Sequence, residues 1–511
     1  MFFLSVLLTL LIYIFLIASF PQKKVGDIPE GFLPEKFPWR LERGGAECDS
    51  FYPSTLPRMP KVVFSVNISA DMGERLATAM VEGDKIFLAD RRGVYALKRD
   101  DGSLIWGVEI YLDNLSERAV SYPQPVEKWR ALGLWKFVES YGVGKYLYVV
   151  TRSDSGGSVL SFDKDTGDLK WRVDLEPLAL STEVANLLVA EGSVYVGGGG
   201  GYVFCITEGG QLLWSNKVGT YVGSLAYGGG VLFVTSREKL YAVTKTGEII
   251  WVFEHSDVVN SPSYRGGKII LSDSRGNLLA LSREGELLWK IHLGGTKLLS
   301  AVSDHNVFVV RDGEMVLSKI NLYGEIEGNF TTTDGKGGRP TASRDMVIVP
   351  VVKHGGSGIY LLWRGLTKIG EFTFGGRWMP TVSAAYGEIY VVVDPNTLYK
   401  LADVEKPKIV DVETEIQPEA LVVNVKAYDG GSAIHKVLLV YRVDNSPWKY
   451  IEMEIARRYV VEPIGGYGFA VEDYTAKIST HSRPVEFYIV AIDNSGNYEI
   501  SKIYSKNPSF Q

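Results

Sequence analysis

The stretch GGKIILSDSRGNLLALSREGELLWKIHL, residues 266–293, decides how the rest of the chain is read. An apolar run from Ile269 to Leu271 stops at Ser-Asp-Ser-Arg-Gly-Asn. A second, Leu278 to Leu281, is turned by Arg283-Glu284-Gly285, and a third follows at Leu287 to Ile291. Short β runs closed by Gly-bearing turns are the chemistry of hairpins, because Gly supplies the positive φ such turns need. The same text recurs with a period of roughly forty residues, the mark of a repeat architecture.

Its second strand returns eight times. The copies begin at Gly83 (GDKIFLAD), Gly144 (GKYLYVVT), Glu191 (EGSVYVGG), Gly229 (GGVLFVTS), Gly266 (GGKIILSD), Asp304 (DHNVFVVR), Arg344 (RDMVIVPV) and Tyr386 (YGEIYVVV). Five copies place a Trp four positions after a turn Gly: Gly102 and Trp106, Gly167 and Trp171, Gly210 and Trp214, Gly247 and Trp251, Gly285 and Trp289. Around Gly324 and Gly365 the strand pattern persists without the Trp. After Leu398-Tyr399-Lys400-Leu401 no outer strand follows, whereas Lys61 to Val66 has the form of one at the other end of the set. A sheet that takes strands from both ends of the set closes a ring securely. The expected fold is therefore all-β, an eight-bladed β-propeller over residues 61–403 whose last blade is closed by an N-terminal strand. The Trp rings are expected to wedge between neighbouring blades.

The step from Trp106 to Trp171 is longer than the others, and the excess lies in Tyr111 to Tyr141. This insertion carries Tyr122-Pro123-Gln124-Pro125, Trp129, Arg130 and Trp135, and part of it, near Leu134 to Val138, is expected to supply the innermost strand of the second blade. After Lys406-Pro407 the period ends. Residues 407–505 carry short alternating strands that read as a β-sandwich of the fibronectin-III or immunoglobulin type. In it, Asp493-Asn494-Ser495-Gly496-Asn497 is a tight turn first, and a set of calcium-capable oxygens second. Residues 21–60 are rich in Pro and Gly and read as an extended tether partly packed on the domain beyond it.

Met1 to Phe20 carries no charge and is long enough to cross a bilayer as an N-terminal hydrophobic helix; a signal peptide is the alternative. No Lys or Arg precedes the apolar core, and Leu16 to Phe20 is a poor cleavage site, which favours an uncleaved anchor. Lys23 and Lys24 would draw the rest of the chain toward the cytoplasm. The exported character of the following modules, with sequons at Asn67, Asn114 and Asn329, favours an extracytoplasmic location, membrane-anchored or secreted. Over 511 residues the net charge is -6, which argues against nucleic acid as a partner. Two Cys and scarce Gln (22, 124, 211, 417 and 511) fit a thermophile.

The text VLSFDKDTGDLKW (159–171), with YALKRDDGSLIW (95–106) and YAVTKTGEIIW (241–251), resembles the pyrroloquinoline-quinone (PQQ) repeat family. The lead-in Trp39 to Gly45 and the C-terminal VEFYIVAIDNSGN add resemblances to such propellers and to fibronectin-III-like modules of exported proteins. The family has a quinoprotein branch, which binds PQQ and calcium, and a non-enzymatic branch of protein-binding propellers. The adjacent cysteine pair of the quinoproteins has no counterpart here, and Asp90, Asp273, Asp312 and Asp394 read as turn residues. The favoured reading is thus a non-enzymatic scaffold with no assigned catalytic residue, metal or cofactor. A PQQ-dependent oxidoreductase and a cell-surface carbohydrate-binding protein are the alternatives.

Cys205 fills a slot held by Ala or Ser in sister copies and reads as a small core residue; a Cys48–Cys205 disulfide has no geometric support. The six His show no zinc spacing. Partners are expected to be other proteins or cell-surface glycans, with the membrane engaged by the N-terminal helix. The candidate interaction face is the rim that gathers Arg92, Arg152, Arg237, Arg275, Arg311 and Lys353, with Trp129, Arg130, Trp135, His255-Ser256-Asp257, Arg339 and Arg377-Trp378 from the connections.

Overall fold

A computed structural model gives the fold. It describes residues 28, 30–68, 77–110, 129–132, 137–153, 156–175, 186–198, 200–393, 396–444, 446–461, 469–480 and 483–507. Two compact units divide at Pro34. The first shows a 3-10 turn at Glu30–Phe32. No helix among the described residues is long and apolar enough to cross a membrane, and residues 1–20 lie outside them.

In the second unit, strands rather than helices carry the fold. Between residues 51 and 402 they make eight successive antiparallel sheets, each built on a set of four strands. The fifth sheet is representative: Val259–Arg265, Lys268–Asp273, Asn277–Ser282 and Leu287–His292 pair in chain order. The eighth, Thr381–Ala385, Glu388–Val393 and Thr397–Ala402, takes Lys61–Asn67 as its outer strand, with Phe64 opposite Lys400. The first strand of each sheet touches the first strand of the next, and that of the eighth touches that of the first, Met80–Glu82. The innermost strand of the second sheet is Phe137–Val143, a few residues beyond the stretch expected from sequence.

The tryptophans explain how the sheets hold one another. Each indole Nε1 donates to a backbone carbonyl in the outer turn of the next sheet: Trp106 to Lys164 (3.0 Å), Trp171 to Glu208 (2.9 Å), Trp214 to Lys245 (2.8 Å), Trp251 to Arg283 (3.1 Å) and Trp289 to Leu322 (3.0 Å). The turn glycine in that next sheet lies against the ring. At Gly167 a Cβ would meet the Trp106 ring at 2.7 Å, and φ is +71°. Both facts demand Gly, the first sterically and the second because L side chains avoid that backbone region. At the seam, Phe64 of the N-terminal strand meets Gly102 of the first sheet as Trp106 meets Gly167. Gly328 and Gly370 occupy the corresponding register of the sixth and seventh sheets, which is why those sheets lack the indole contact.

Residues 408–506 form two further antiparallel sheets. One orders Lys408–Gln417, Ala420–Tyr428, Phe469–Ser479 and Glu454–Val461. The other orders Lys449–Glu452, Ile434–Val443, Val485–Asp493 and Tyr498–Ile500, with Tyr504–Lys506 also on Val485–Asp493. Leu421, Val425 and Tyr474 from the first share one buried cluster with Val437, Leu439, Phe487 and Ile489 from the second. The alternation of apolar and polar residues along these strands makes such a shared core possible.

Candidate functional site

Strand direction sorts the loops of the ring onto two rims. Turns between first and second strands, and between third and fourth, fall on one rim. Turns between second and third strands, and the connections between sheets, fall on the other. The two rims differ in what occupies them.

On the first rim the chain's own residues 37–54 run past the innermost strands, one sheet after another. The Phe37 carbonyl accepts from Tyr386 N of the eighth sheet (3.0 Å), and Trp39 exchanges two backbone hydrogen bonds with Val81 of the first. The Arg40 carbonyl accepts from Val143 N of the second sheet (2.9 Å), and Leu41 packs with Leu187 and Leu188 of the third. Carbonyls of Ala46, Glu47, Asp49 and Ser50 then accept from Tyr227, Tyr264, Val302 and Ala342, in the fourth to seventh sheets. Phe51–Tyr52 finishes the circuit as a parallel strand on Thr341–Ser343. Cys48 and Ser50 hold φ near +52° and +53°, a conformation that costs non-Gly residues energy and survives only where the surroundings dictate it. The segment read from sequence as a tether thus has residues 37–54 built into the ring.

This thread carries charge inward. Arg43 is buried, donating to the Pro262 carbonyl (3.0 Å) and Ser263 Oγ (2.5 Å), with its Nε unpartnered. Asp49 is buried and pairs with Arg265 at 2.6 Å, while Arg265 reaches Asp304 at 2.8 Å. Cys48 and Cys205 are both buried and both free, so they do not form a disulfide. Burial pushes the Cys48 thiol up to about 11. A depression on this rim is bordered by Arg40, Glu82, Lys145, Lys164 and Glu208. Its charges are largely satisfied internally, with Arg40 on Glu82 (2.8 Å), Lys164 also on Glu82, and the Lys145 amide on Glu208 (2.7 Å).

The opposite rim carries the basic turns expected from sequence, and most of them are tied locally. Arg152 pairs with Glu139 (2.9 Å), Arg275 with Asp257 (2.6 Å), Arg311 with Glu314 (3.3 Å), and Lys353 with Asp334 (3.6 Å) and Glu371. Arg237 donates to Thr220 Oγ1 (3.1 Å), and the Arg92 amide donates to Asp90 (2.8 Å). His255 lies 3.0 Å from Asp273, with Asp257 beside them. Burial drives the Asp273 carboxyl up, but hydrogen bonds from Asn277 and His255 outweigh it and leave it below the usual carboxylate range. Asp90 and Asp273 cap turn amides, as the sequence implied, but both are buried where solvated turn residues were expected; Asp394 lies outside the described residues.

Arg377 and Trp378 stand apart on this rim. Trp378 is 61% exposed, its backbone held by Ser357 Oγ at 2.6 Å. Trp129–Ala131 forms a fifth, parallel strand on the outer edge of the first sheet, against Gly107–Glu109. Trp135 and the rest of 111–128 and 133–136 lie outside the described residues. Of the junction acids described below, the sequence pointed only to Asp493, as a turn with calcium-capable oxygens, and it gave the thread only as a tether partly packed on the domain beyond it. Asp403, Asp429 and the thread's course past each sheet do not repeat, so periodicity could not place them.

A family model described as outer membrane protein assembly factor BamB matches residues 155–326. Over that range the repeats are similar to PQQ-like propeller repeats. A BamB of Yersinia pestis is 26% identical over 336 residues, covering 54% of this chain and 83% of that protein. Among solved structures, BamB from Moraxella catarrhalis is similar at 16% identity and a TM-score of 0.49, over 68% of this chain and 98% of that one. Sqt1 of Saccharomyces cerevisiae is similar at 12% identity and a TM-score of 0.48, over 69% and 100%.

Proposed function

We propose that this protein is a non-enzymatic, extracytoplasmic protein-interaction scaffold, tethered to a membrane by residues 1–20. On this reading residues 61–403 are an eight-bladed propeller closed by its N-terminal strand, and 407–505 a fibronectin-III/Ig-like sandwich acting as spacer or second binding unit. The observation that carries it is the asymmetry of the rims. One is threaded by the chain itself; the other presents Trp378, a large exposed aromatic, beside an exposed Arg377. Aromatic and Arg side chains are the usual anchors of protein interfaces. The likeness to an outer membrane assembly factor supports the same direction, toward a propeller that holds other proteins together.

The test uses the full chain extracted from its own membrane with whatever co-purifies. Trp378→Ala with Arg377→Ala is expected to lower partner recovery about 30-fold, the effect of losing an interface anchor. Its melting temperature should stay within about 1 °C of the parent, since exposed side chains contribute little to stability. Undiminished recovery overturns the assignment of this face. Saturable PQQ binding with calcium and dye-linked turnover overturns the scaffold reading, and so does glycan-array binding without any protein partner.

A further inference from the structure

Three aspartates far apart in sequence meet where the last sheet of the ring adjoins the C-terminal module. Asp403 follows the strand Thr397–Ala402, Asp429 follows Ala420–Tyr428, and Asp493 ends Val485–Asp493. They are 6%, 4% and 0% exposed, and one carboxylate oxygen from each lies within 4.8 Å of the others. Each acid is fixed by backbone amides of its own turn. Asp403 Oδ1 accepts from Glu405 N (3.0 Å), and Asp429 Oδ2 from Ser432 N (2.6 Å) and Ala433 N (2.9 Å). Asp493 Oδ1 accepts from Ser495 N (2.9 Å) and Asn497 N (2.8 Å), and its Oδ2 from Asn497 Nδ2 (2.9 Å).

The Ser432 hydroxyl also acts on Asp403 and the Gly431 amide on Asp429, yet Asp403 Oδ2 and Asp429 Oδ1 stay buried without a well-formed hydrogen bond. An orphaned carboxylate oxygen in the interior is costly, and two beside a third acid are costlier. The nearest charges do not cancel: Lys36 acts on Asp493 and Arg58 on Asp429, while Glu405 adds a further negative field at Asp403 and Asp429. Burial, with repulsion from the neighbouring acids, pushes Asp403 up to about 6 and Asp493 up to about 7. Gly431 borders the cluster. A Cβ on Gly431 would stand 2.2 Å from Asp403 Oδ1 and 2.4 Å from Oδ2, so only Gly leaves the carboxylate its place.

We propose that Asp403, Asp429 and Asp493 bind one divalent cation of the calcium class, which ties the propeller's last sheet to the C-terminal module. The donors are all hard oxygens, with no thiolate or imidazole among them, which disfavours zinc. Ligands on opposite sides of a calcium ion, each at roughly 2.3–2.6 Å, stand about 5 Å apart, so oxygens within 4.8 Å of one another can share one ion. Three carboxylates fixed in their own turns suit calcium, which accepts flexible all-oxygen sets, better than magnesium, which keeps several waters. Because the ligands come from both modules, the ion's removal should loosen the junction rather than either core.

Calorimetric titration of EGTA-stripped full-length protein with CaCl2 at pH 7.5 tests this. The expected result is one site with a Kd on the order of 10–100 µM and at least tenfold weaker binding of Mg2+. At 5 mM CaCl2 the melting temperature should rise by about 5 °C. Asp493→Asn and Gly431→Ala should each weaken calcium binding about 30-fold or more. In EGTA, Asp493→Asn should melt above the parent, since one repelling charge is gone, whereas a purely turn-capping role for Asp493 predicts the reverse. Absence of a saturable site, weak multi-site heat without a thermal shift, or an unchanged calcium response in Asp493→Asn overturns the proposal. If the variants do not fold, calcium-dependent protection of the parent from proteolysis near Glu405 decides in the same way.

Discussion

The outer strands of the sheets and the thread on the first rim are both made of extended chain, yet they hold the molecule by opposite means. The outer strand Leu287–His292 alternates exposed and half-buried residues and reaches the next sheet through the Trp289 indole. It is one of five equivalent joints. The thread 37–54 occurs once, has no side-chain periodicity, and contacts the sheets largely through backbone carbonyls and a few buried charges. Repeated elements therefore carry architecture in small interchangeable increments. The single-copy element couples all increments at once.

The comparison breaks most visibly if the thread is removed. Truncation to residue 57 should expose the ends of the innermost strands and the partners of Arg43 and Asp49, and abolish cooperative unfolding measured by circular dichroism. A truncated chain that keeps the parental transition would reduce the thread to a lining. Next in size is a single joint: Trp106→Ala should lose about 3–5 kcal/mol in denaturant titration, because the ring is fully buried and the neighbouring turn cannot collapse onto the gap. Trp378→Ala in the same assay should lose no more than about 0.5 kcal/mol.

A smaller effect sharpens the contrast through Cys48. Its thiol is held neutral by burial, so a thiol reagent at pH 8 should label neither Cys48 nor Cys205 until denaturant is added. The folded thiol titrates near 11 against an ordinary 9.0, so its contribution to stability is intact below pH 9 and is lost as pH rises toward 11. Cys48→Ala should therefore fall less steeply than the parent over that window. Equal slopes would place Cys48 in a wetter setting than the thread provides.

The smallest expected effect lies in the C-terminal module. Burial first, then the charge of Lys436, keeps His435 below its ordinary 6.5. Its contribution is present above pH 6.5 and lost as pH falls below it, so His435→Gln should flatten the acid limb of the melting curve between pH 6.5 and 5 without moving the alkaline limb.

Much of the ring was legible in the chain because hairpin chemistry is local. A turn Gly, an apolar run of strand length and a Trp four residues later lie within one repeat, and the eightfold recurrence of the second strand repeats the inference. That the Trp rings wedge between neighbouring sheets was also legible, whereas the pairing of Trp106 with Gly167 of the next sheet came from the structure. The rim that bears Arg275 and Arg311 could be named from turn position alone. The neutralising partners Asp257 and Glu314 could not be read as partners without the loops in place.

What the sequence determined by itself was therefore the unit: strands, turns, the wedge, the seam strand at Lys61–Asn67 and the change of plan after Lys406-Pro407. Tertiary structure alone decided which single-copy residues meet. Arg43 lies 219 positions from Pro262, and Asp403, Asp429 and Asp493 converge from three separate turns. The physical reason is range. Backbone preference and side-chain alternation act over a few residues, whereas a buried charge finds its partner wherever the closed ring happens to deliver one.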